Sequence, residues 1–435
     1  MTMTDQRRRI PRTDAVLADP RLAELIPVFG RSRVKAAVTA AQRRARDGEI
    51  APELVAETAL ASLSDAGPRR VINATGVVVH TNLGRAPLSG PALEAVRVAA
   101  GSTDVELDLV TGRRGRRGRG ALAALAQAVP AAEAVHVVNN NAAALVLAAT
   151  ALAYGKEIVI SRGELVEIGA GFRLPELLES TGARLREVGT TNRTTVADYR
   201  AAIGPATGFV LKVHPSNYRV EGFGGTPGVG DLAGLGVPVV GDIGSGLLRP
   251  EPALPAEPDA ATWLEQGADL VTASGDKLLG GPQCGLLLGR AGLVERLSTH
   301  PLARALRVDK LTLAALEATL THAANPTRAA LLADLPTLRR RADELLLLLH
   351  ADGVKADAVD TVAAVGGGGA PGVELPSVAV TVPLALAGPL RTGTPAVVGR
   401  AAADRYLLDL RAVAPDDDGD LAAAVAAAWE AAACA

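Results

Sequence analysis

Apolar residues recur at helical spacing through the first sixty residues of the chain. The stretches TDAVLADPRLAELIPVFG and RSRVKAAVTAAQRRARDGE place apolar side chains near i, i+3 and i+4, with Asp or Ser before the runs. This pattern predicts a small helical domain over residues 1–62.

A different pattern begins near Val71, where short apolar runs alternate with helical stretches. The β-rich runs are AVHVV, EIVISR, GFVLKVH, VPVVGDIG and DLVTASG. Such alternation is typical of a parallel sheet in an α/β domain, which we expect over residues 63–325. After Asn325, RRRADELLLLLHADG predicts a helix, GGGGAPG a turn, and SVAVTVP and YLLDLRAV strands. These elements predict a smaller α/β domain over residues 326–435.

Charge is distributed unevenly along the chain. The net charge of the 435 residues is −2, but the first fifty residues contain eleven Lys or Arg against six Asp or Glu. Such an excess is typical either of a solvated helical face or of contact with RNA phosphates. Cys284 and Cys434 have no disulfide or zinc-site spacing, and no apolar run could span a bilayer. We expect a soluble, cytoplasmic protein without a metal.

Polar residues close two of the predicted strands, at the sheet edge where α/β domains bind ligands. In VVNNNAAALVLAAT, Asn139–Asn141 precede a helix whose first N–H groups would suit a phosphate, although Asn also caps helices for structural reasons. Asp242 ends an apolar strand, where an ionised carboxylate is costly without a cationic partner. The alternative for Asp242 is a turn-forming role.

Lys277 follows a third strand, in DLVTASGDKLLGGP. A lone lysine is usually exposed. However, a phosphate site, an acid and a lysine at three strand ends of one sheet are what a Schiff-base pyridoxal phosphate (PLP) site requires, with the acid facing the pyridine nitrogen. The predicted cofactor-binding residues are Lys277, Asp242, Asn140, Asn141, Ala142 and Ser274.

Arginines add a possible oxyanion site. Arg85 lies in NATGVVVHTNLGRAPL, and the i, i+3 spacing of Arg304 and Arg307 predicts that both lie on one helical face. The alternative is that they are solvated surface residues. The GRRGRRGRG run at 112–120 predicts a mobile basic loop that could touch nucleic acid. We expect structural roles for His80, His136 and His214, of which His80 and His214 could line the pocket.

Long motifs resemble one known family. They are VINATGVVVHTNLGRAPL, VVNNNAAA, SRGELVEIG, GTTNRT, GDIGSG, SGDKLLGGPQCG, HPLARALRVDKLTLAALEATL and GGGGAPGVELPS. These strings resemble the bacterial selenocysteine synthases, the L-seryl-tRNA(Sec) selenium transferases, over nearly the whole chain.

The resemblance implies a fold-type I PLP transferase, similar to aspartate aminotransferase, that assembles as a ring-shaped homodecamer. Its helical N-terminal domain would bind the selenocysteine tRNA. Lys277 would form the internal aldimine and Asp242 would face the pyridine nitrogen. Arg85, Arg304 and Arg307 would hold the selenophosphate donor, with Asp276 close by.

The implied reaction converts L-seryl-tRNA(Sec) to L-selenocysteinyl-tRNA(Sec) through an aldimine and an aminoacrylyl-tRNA. Lys277 would be the base, and Lys277 or Asp276 the acid for hydroxide departure. One alternative is a PLP lyase acting on a small amino acid or amino-sugar phosphate. A second is a catalytically silent RNA-binding ring scaffold.

Overall fold

The computed structural model describes residues 9–64, 67–169, 171–219 and 224–433. Contacts divide the chain into two compact units, Met1–Arg70 and Val71–Ala435. The first unit is helical, as its apolar periodicity predicts. Its helices are α1 (Thr13–Leu17), α2 (Pro20–Phe29), α3 (Arg31–Arg46) and α4 (Val55–Ser64).

Local sequence sets the ends of these helices. Asp19 caps α2, accepting a 3.0 Å hydrogen bond from the N–H of Arg21, and Gly30 at φ +81° separates α2 from α3. Val34 and Val38 of α3 are buried, in a cluster with Leu22 of α2. The opposite side of α3 is charged. Its exposed basic residues are Arg31, Arg33, Lys35, Arg43, Arg44 and Arg46.

The second unit is built around a seven-stranded sheet. Its strands are β3 (Ala134–Val138), β4 (Glu157–Ser161), β7 (Arg184–Val188), β8 (Thr207–Val213), β9 (Val239–Ile243), β10 (Leu270–Ser274) and β11 (Gly285–Gly289). Two strands that precede it in the chain, β1 (Val71–Asn73) and β2 (Val77–Val79), belong to other sheets. The short strands β5 (Glu167–Ile168) and β6 (Phe172–Arg173) form a separate pair. The order in the seven-stranded sheet is β3-β11-β10-β9-β8-β4-β7. β11 runs antiparallel to both neighbours, and the other adjacent pairs are parallel.

Helices cover this sheet and link its parallel strands. They are α5 (Gly90–Ala100), α6 (Arg119–Ala128), α7 (Asn141–Ala153), α8 (Leu174–Glu179), α9 (Val196–Ala202), α10 (Val229–Leu232), α11 (Ala260–Glu265), α12 (Ala291–Thr299), α13 (Pro301–Ala305) and α14 (Lys310–Thr321). The α7 sequence NAAALVLAATALA is apolar on every side, and nine of its residues are buried. Such a helix belongs to the interior of the fold.

A second sheet contains the C-terminal strands. Four of its five members are β12 (Asp357–Gly366), β13 (Glu374–Pro383), β15 (Arg400–Ala402) and β16 (Arg405–Asp409), and the fifth is β2. The order is β15-β16-β13-β12-β2. β14 (Ala396–Val398) pairs with β1 in a separate two-stranded sheet. The accompanying helices are α15 (Pro326–Leu332), α16 (Leu335–Ala351), α17 (Ala387–Thr392) and α18 (Asp418–Ala433). The three-domain division at residues 62 and 325 stays a prediction, although residues 71–79 pair with C-terminal strands.

The parallel sheet with flanking helices matches the α/β fold predicted from the alternating pattern. Within the described residues, no helix is both long enough and apolar enough to cross a membrane.

Candidate active site

The carboxyl ends of the parallel strands meet at one edge of the seven-stranded sheet. The strand register brings Asp242 of β9 opposite Val213 of β8 on one side and Thr272 of β10 on the other. Because β11 runs the other way, Gly285 at its start lies at this edge beside the asparagine turn. A Cβ on Gly285 would lie 2.1 Å from the carbonyl oxygen of Asn140, so the turn requires glycine there.

Asp242 is a buried carboxylate whose hydrogen bonds come from neutral groups. Its Oδ1 accepts from Asn141 Nδ2 at 2.7 Å and from Thr272 Oγ1 at 2.9 Å. Among the described residues, Oδ2 accepts no hydrogen bond and no cation forms an ion pair with the carboxylate. Burial raises the pKa of Asp242, against the two hydrogen bonds and the charge of Lys277. An anion in this state suits a cationic ligand group.

The asparagine turn begins α7. Asn140 caps the helix, its Oδ1 accepting from the N–H of Ala143 at 2.8 Å, and Asn141 is committed to Asp242. The N–H of Asn139 donates to Leu306 at 2.9 Å. Asn141 and Ala142 lie in the first turn of α7, whose N–H groups have no intrahelical acceptor. The turn is therefore both a structural cap and an anion-compatible helix start.

Lys277 lies just beyond β10 and the buried Ser274. Leu278 donates its N–H to Ser245 O at 2.9 Å, and Gly280 donates to Lys277 O at 3.0 Å, which fixes the lysine backbone. Burial lowers the pKa of the Lys277 ammonium; the charge of Asp242 opposes this effect, and that of Arg85 adds to it. A lysine amine that is less readily protonated is a better nucleophile and base.

Glycines make the space around the lysine amine. A Cβ on Gly368, which has φ +88°, would lie 2.5 Å from Lys277 Nζ. A Cβ on Gly244 would lie 3.6 Å from the same atom. The GGGGAPG run predicted as a flexible turn therefore passes directly over Lys277, at a distance that only a residue without a side chain permits.

Arg85 lies beside Lys277 and is paired with Asp276. Its Nη1 donates to Asp276 Oδ2 at 2.6 Å, and the N–H of Ala86 donates to Asp276 O at 3.2 Å. Arg85 has φ +66°, a left-handed conformation that is uncommon for a residue with a side chain. The Arg85 side chain remains 38% exposed, so part of the guanidinium is accessible to an anion.

The prediction that Arg304 and Arg307 share a helical face is wrong. α13 ends at Ala305, and Arg307 instead forms a β-bridge with Val138 at the carboxyl end of β3. Chain reversal at Leu306, which accepts the N–H of Asn139, breaks the helical spacing. Both arginines are exposed, and Arg307 Nη1 lies 3.6 Å from Glu106 Oε1.

Comparisons with known proteins identify the family. The L-seryl-tRNA selenium transferase family model matches residues 71–414, and the selenocysteine synthase N-terminal model matches residues 7–46. The chain belongs to the L-seryl-tRNA selenium transferase family. It is 43% identical to the L-seryl-tRNA(Sec) selenium transferase of Moorella thermoacetica, over 97% of each chain. Identity to the enzyme of the same name from Geobacter sulfurreducens is 42%, over 94% of this chain and 96% of that one.

A solved structure supports the fold. D-glucosaminate-6-phosphate ammonia-lyase superimposes with a TM-score of 0.58 at 21% identity, covering 86% of this chain and 99% of that one. The fold-type I α/β class and the resemblance to selenocysteine synthases are thus confirmed. The roles of the individual site residues stay predictions.

The arginine and glycine run at 112–120, for which the sequence predicts a mobile basic loop, forms ion pairs with nearby acids, and its mobility stays a prediction. Arg114 and Arg117 pair with Glu106 at 3.0 and 3.2 Å, and Arg119 pairs with Asp104 at 3.0 Å. Arg117 also donates to the carbonyl of Val308. Asp104 and Glu106 lie outside the run, eight and six residues before its start, so the charge of the run alone did not indicate the pairing.

Sequence reasoning also missed Glu257, a buried carboxylate at this edge of the selenium transferase. Glu257 Oε1 lies 3.2 Å from His214 Nε2, and its Oε2 accepts the N–H of Ala370 at 2.7 Å. No motif marks it, because the segment LPAEPDA has the composition of an ordinary loop. A glutamate between two prolines was the only signal, and it is weak.

His136 and Cys284 have pKa values that burial shifts, and the structural roles expected for the histidines stay predictions. Burial lowers the pKa of His136 on β3 to about 4, and burial raises the pKa of the Cys284 thiol to about 12. Cys284 packs against Gly275, two residues before Lys277. No group of three or more His, Cys, Asp or Glu within the described ranges could hold a metal ion.

Proposed function

We propose that this chain converts L-seryl-tRNA(Sec) to L-selenocysteinyl-tRNA(Sec), with PLP as cofactor and selenophosphate as selenium donor. The observation that carries the proposal is the placement of the buried Asp242 and the half-buried Lys277 at one sheet edge, in a chain of this family. The relatives that match over nearly their whole length bear the name of that activity.

The residues at this edge fit PLP. Asp242 has an oxygen without a hydrogen bond and no cationic partner among the described residues, which suits a protonated pyridine nitrogen. Lys277 would hold the cofactor covalently, and the start of α7 at Asn140–Ala142, with Ser274, would face its phosphate. When bound, PLP supplies an electron sink for negative charge at the α-carbon of the seryl group.

Lys277 would also move the protons. Its amine, with a lowered pKa, is suited to take the α-proton, and the resulting ammonium can deliver a proton to the departing hydroxyl. Asp276 is committed to Arg85 through a 2.6 Å bond. We therefore assign Asp276 to holding Arg85 and assign both proton transfers to Lys277.

Arginines would bind the phosphate of the donor. Arg85 is paired with Asp276, the residue before Lys277, and Arg307 joins the end of β3 beside the asparagine turn. Guanidinium groups bind phosphate oxygens in pairs, which suits an anion delivered to this edge. Arg304 is the third arginine of the proposal because it lies three residues before Arg307 in the chain and is exposed.

The helical N-terminal unit would contact the tRNA. The exposed basic side of α3 has the charge needed to neutralise phosphates, and the matching N-terminal family model supports this role. Low aromatic content, 2% of the chain, favours contact with phosphate and sugar over base stacking. The homodecamer that the family resemblance implies belongs to the same proposal, as does a cytoplasmic location, where aminoacyl-tRNA is used.

The first experiment tests the cofactor. Purified protein with PLP is expected to absorb near about 420 nm, and borohydride should then fix the cofactor on Lys277. Lys277→Ala should lose both the band and the adduct. A colourless protein without a trapped cofactor would exclude the enzyme and favour the RNA-binding scaffold.

The second experiment tests the substrate. Holoenzyme is mixed with seryl-tRNA(Sec) or seryl-tRNA(Ser) in a gel shift, and selenophosphate-dependent product is measured. Arg31→Glu with Lys35→Glu on α3 should weaken binding at least about tenfold through lost phosphate contacts. Lys355→Glu with Arg391→Glu, an equal charge change on exposed C-terminal residues, should not. Equal binding of both tRNAs, without product, would favour a lyase acting on a small amino acid or amino-sugar phosphate.

A further inference from the structure

Glu257 is a buried carboxylate that none of the steps above uses. It lies between β9 and α11, and its side chain is only 2% exposed. The two carboxylate oxygens face different parts of the site. Oε2 accepts the N–H of Ala370 at 2.7 Å, and Oε1 lies 3.2 Å from Nε2 of His214. Burying a carboxylate costs desolvation free energy unless hydrogen bonds or opposite charges compensate for it.

The Ala370 contact holds the end of the glycine run over Lys277. Gly368 passes against Lys277 Nζ, and a Cβ on Gly369 would lie 2.9 Å from Leu278 Cδ1. Ala370 has φ +46°, a left-handed conformation that is unfavourable for alanine and must be held by its surroundings. A charged acceptor for its N–H gives a stronger bond than a neutral one. Glu257 therefore stabilises Ala370, whose left-handed backbone conformation is unfavourable for a residue with a side chain.

The His214 contact holds the other wall. His214 follows β8, and its N–H donates to Asp242 O at 3.0 Å, so its backbone is part of the same edge. In the described part of the chain, Nε2 of His214 and Oε1 of Glu257 have no hydrogen-bond partner. The 3.2 Å approach of these two atoms is therefore an electrostatic contact and not a hydrogen bond.

We propose that Glu257 is a positioning residue that ties the glycine run 366–369 to His214 across Lys277 and so sets the shape and charge of the space at Nζ. This inference rests on the proposed cofactor site. The Glu257 carboxylate accepts the N–H of Ala370, two residues after Gly368, which approaches Lys277 Nζ. The charges of Asp242, Asp276 and Glu257 raise the pKa of Lys277, and that of Arg85 lowers it, so loss of the Glu257 charge removes one of these stabilising anions.

The test compares Glu257→Gln with Glu251→Gln in the holoenzyme. Glu251 is a matched control because it lies on the same segment and is similarly buried. Counted over the whole residue, backbone included, Glu251 is 8% exposed and Glu257 is 7% exposed. It also accepts a backbone N–H, that of Ala253, and pairs with a cation, Arg328. Its partners lie away from Lys277, so it reports the general cost of removing a buried charge in this segment.

Two readouts are measured without tRNA or selenophosphate. Hydrogen exchange at Ala370 should become about five- to tenfold faster in Glu257→Gln, because a charged acceptor is replaced by a neutral one. The pH midpoint of the absorption band near 420 nm should fall by roughly half to one unit, because an anion beside the lysine nitrogen is lost. Glu251→Gln should change neither. A purely structural role would leave the midpoint in place.

Glu257→Asp provides a second variant, which keeps the charge and shortens the reach. It should speed exchange at Ala370 while its midpoint stays closer to that of the wild type. Unchanged exchange and midpoint in Glu257→Gln, or equal changes in Glu251→Gln, would overturn the proposal. Failure of seryl-tRNA turnover in the wild type would instead count against the proposed function alone, because neither readout requires that substrate.

Discussion

Two buried carboxylates close strands of the two sheets in this protein, and they differ in what surrounds them. Asp242 lies near the end of β9 and Asp409 at the end of β16. In each, Oδ1 accepts two hydrogen bonds, which for Asp409 come from Ser377 Oγ at 2.6 Å and Arg411 N at 3.1 Å. In each, Oδ2 accepts none from the described residues, and burial raises the pKa.

The surroundings of the second oxygen separate the two residues. A Cβ on Gly76 would lie 2.6 Å from Asp409 Oδ2, so the chain itself fills that space, and Arg400 approaches to 3.9 Å. Asp242 instead has the charge of Lys277 nearby, and Gly368 closely approaches Lys277 Nζ. Burial with an unbonded oxygen therefore does not by itself define a ligand site; a neighbouring group that could bind the cofactor distinguishes Asp242 from Asp409.

The largest expected effect comes from Asp242→Asn. Turnover should fall at least about 10³-fold, equivalent to about 4 kcal/mol of transition-state stabilisation, because a neutral amide cannot support a protonated pyridine. Stability in urea should change by no more than about 1 kcal/mol, since the variant can still accept both neutral hydrogen bonds.

Asp269→Asn is the matched control for that variant. Asp269 is equally buried, at 7%, but lies before β10 and pairs with Arg290 at 2.8 Å. It should lose stability and keep turnover per folded molecule. Equal loss of turnover in both variants would contradict the distinction between Asp242, which has no ion-pair partner among the described residues, and Asp269, which pairs with Arg290.

A second experiment tests the packing beside Asp409. Gly76→Ala should cost about 2–4 kcal/mol, because φ is +79° and the added methyl meets Oδ2 at 2.6 Å. Gly353→Ala isolates the backbone contribution, because Gly353 has φ +72° and nothing within 4 Å. It should cost about 1 kcal/mol in urea unfolding. Equal costs would mean that the space beside Asp409 is not filled as described.

The smallest effect is expected from Asp409→Asn. The raised pKa means that the folded state binds the Asp409 proton more tightly than the unfolded chain does. Its contribution to stability is therefore present below the ordinary pKa and is lost as pH rises through the folded value. Asn does not titrate, so the variant should gain relative to wild type between pH 4 and pH 7, by roughly 1 kcal/mol. A melting temperature of the variant that falls relative to that of the wild type between pH 4 and pH 7 would contradict the assignment.

Sequence alone predicted the features that depend on local pattern. The helical unit, the parallel sheet and the strand-end positions of Asp242 and Lys277 all follow from periodicity and from the rule that ligands bind beyond the carboxyl ends of strands. The fold confirms these placements.

Features that depend on long-range contacts were not predictable. Arg304 and Arg307 have helical spacing, but pairing of Arg307 with Val138 ends the helix between them. Glu257 depends on Ala370, more than a hundred residues away, and the glycine run shows its purpose only once it lies over Lys277. No local propensity encodes such neighbours.

The burial of Cys284 matters for an enzyme that transfers selenium. A thiolate this close to Lys277 would compete for selenium and would be open to oxidation. Cys284 is 1% exposed, and its thiol pKa of about 12 keeps it protonated at neutral pH. The Cys284 sulfur, which packs against Gly275, is thereby kept out of redox exchange, and alkylating reagents should leave it unmodified in the folded protein.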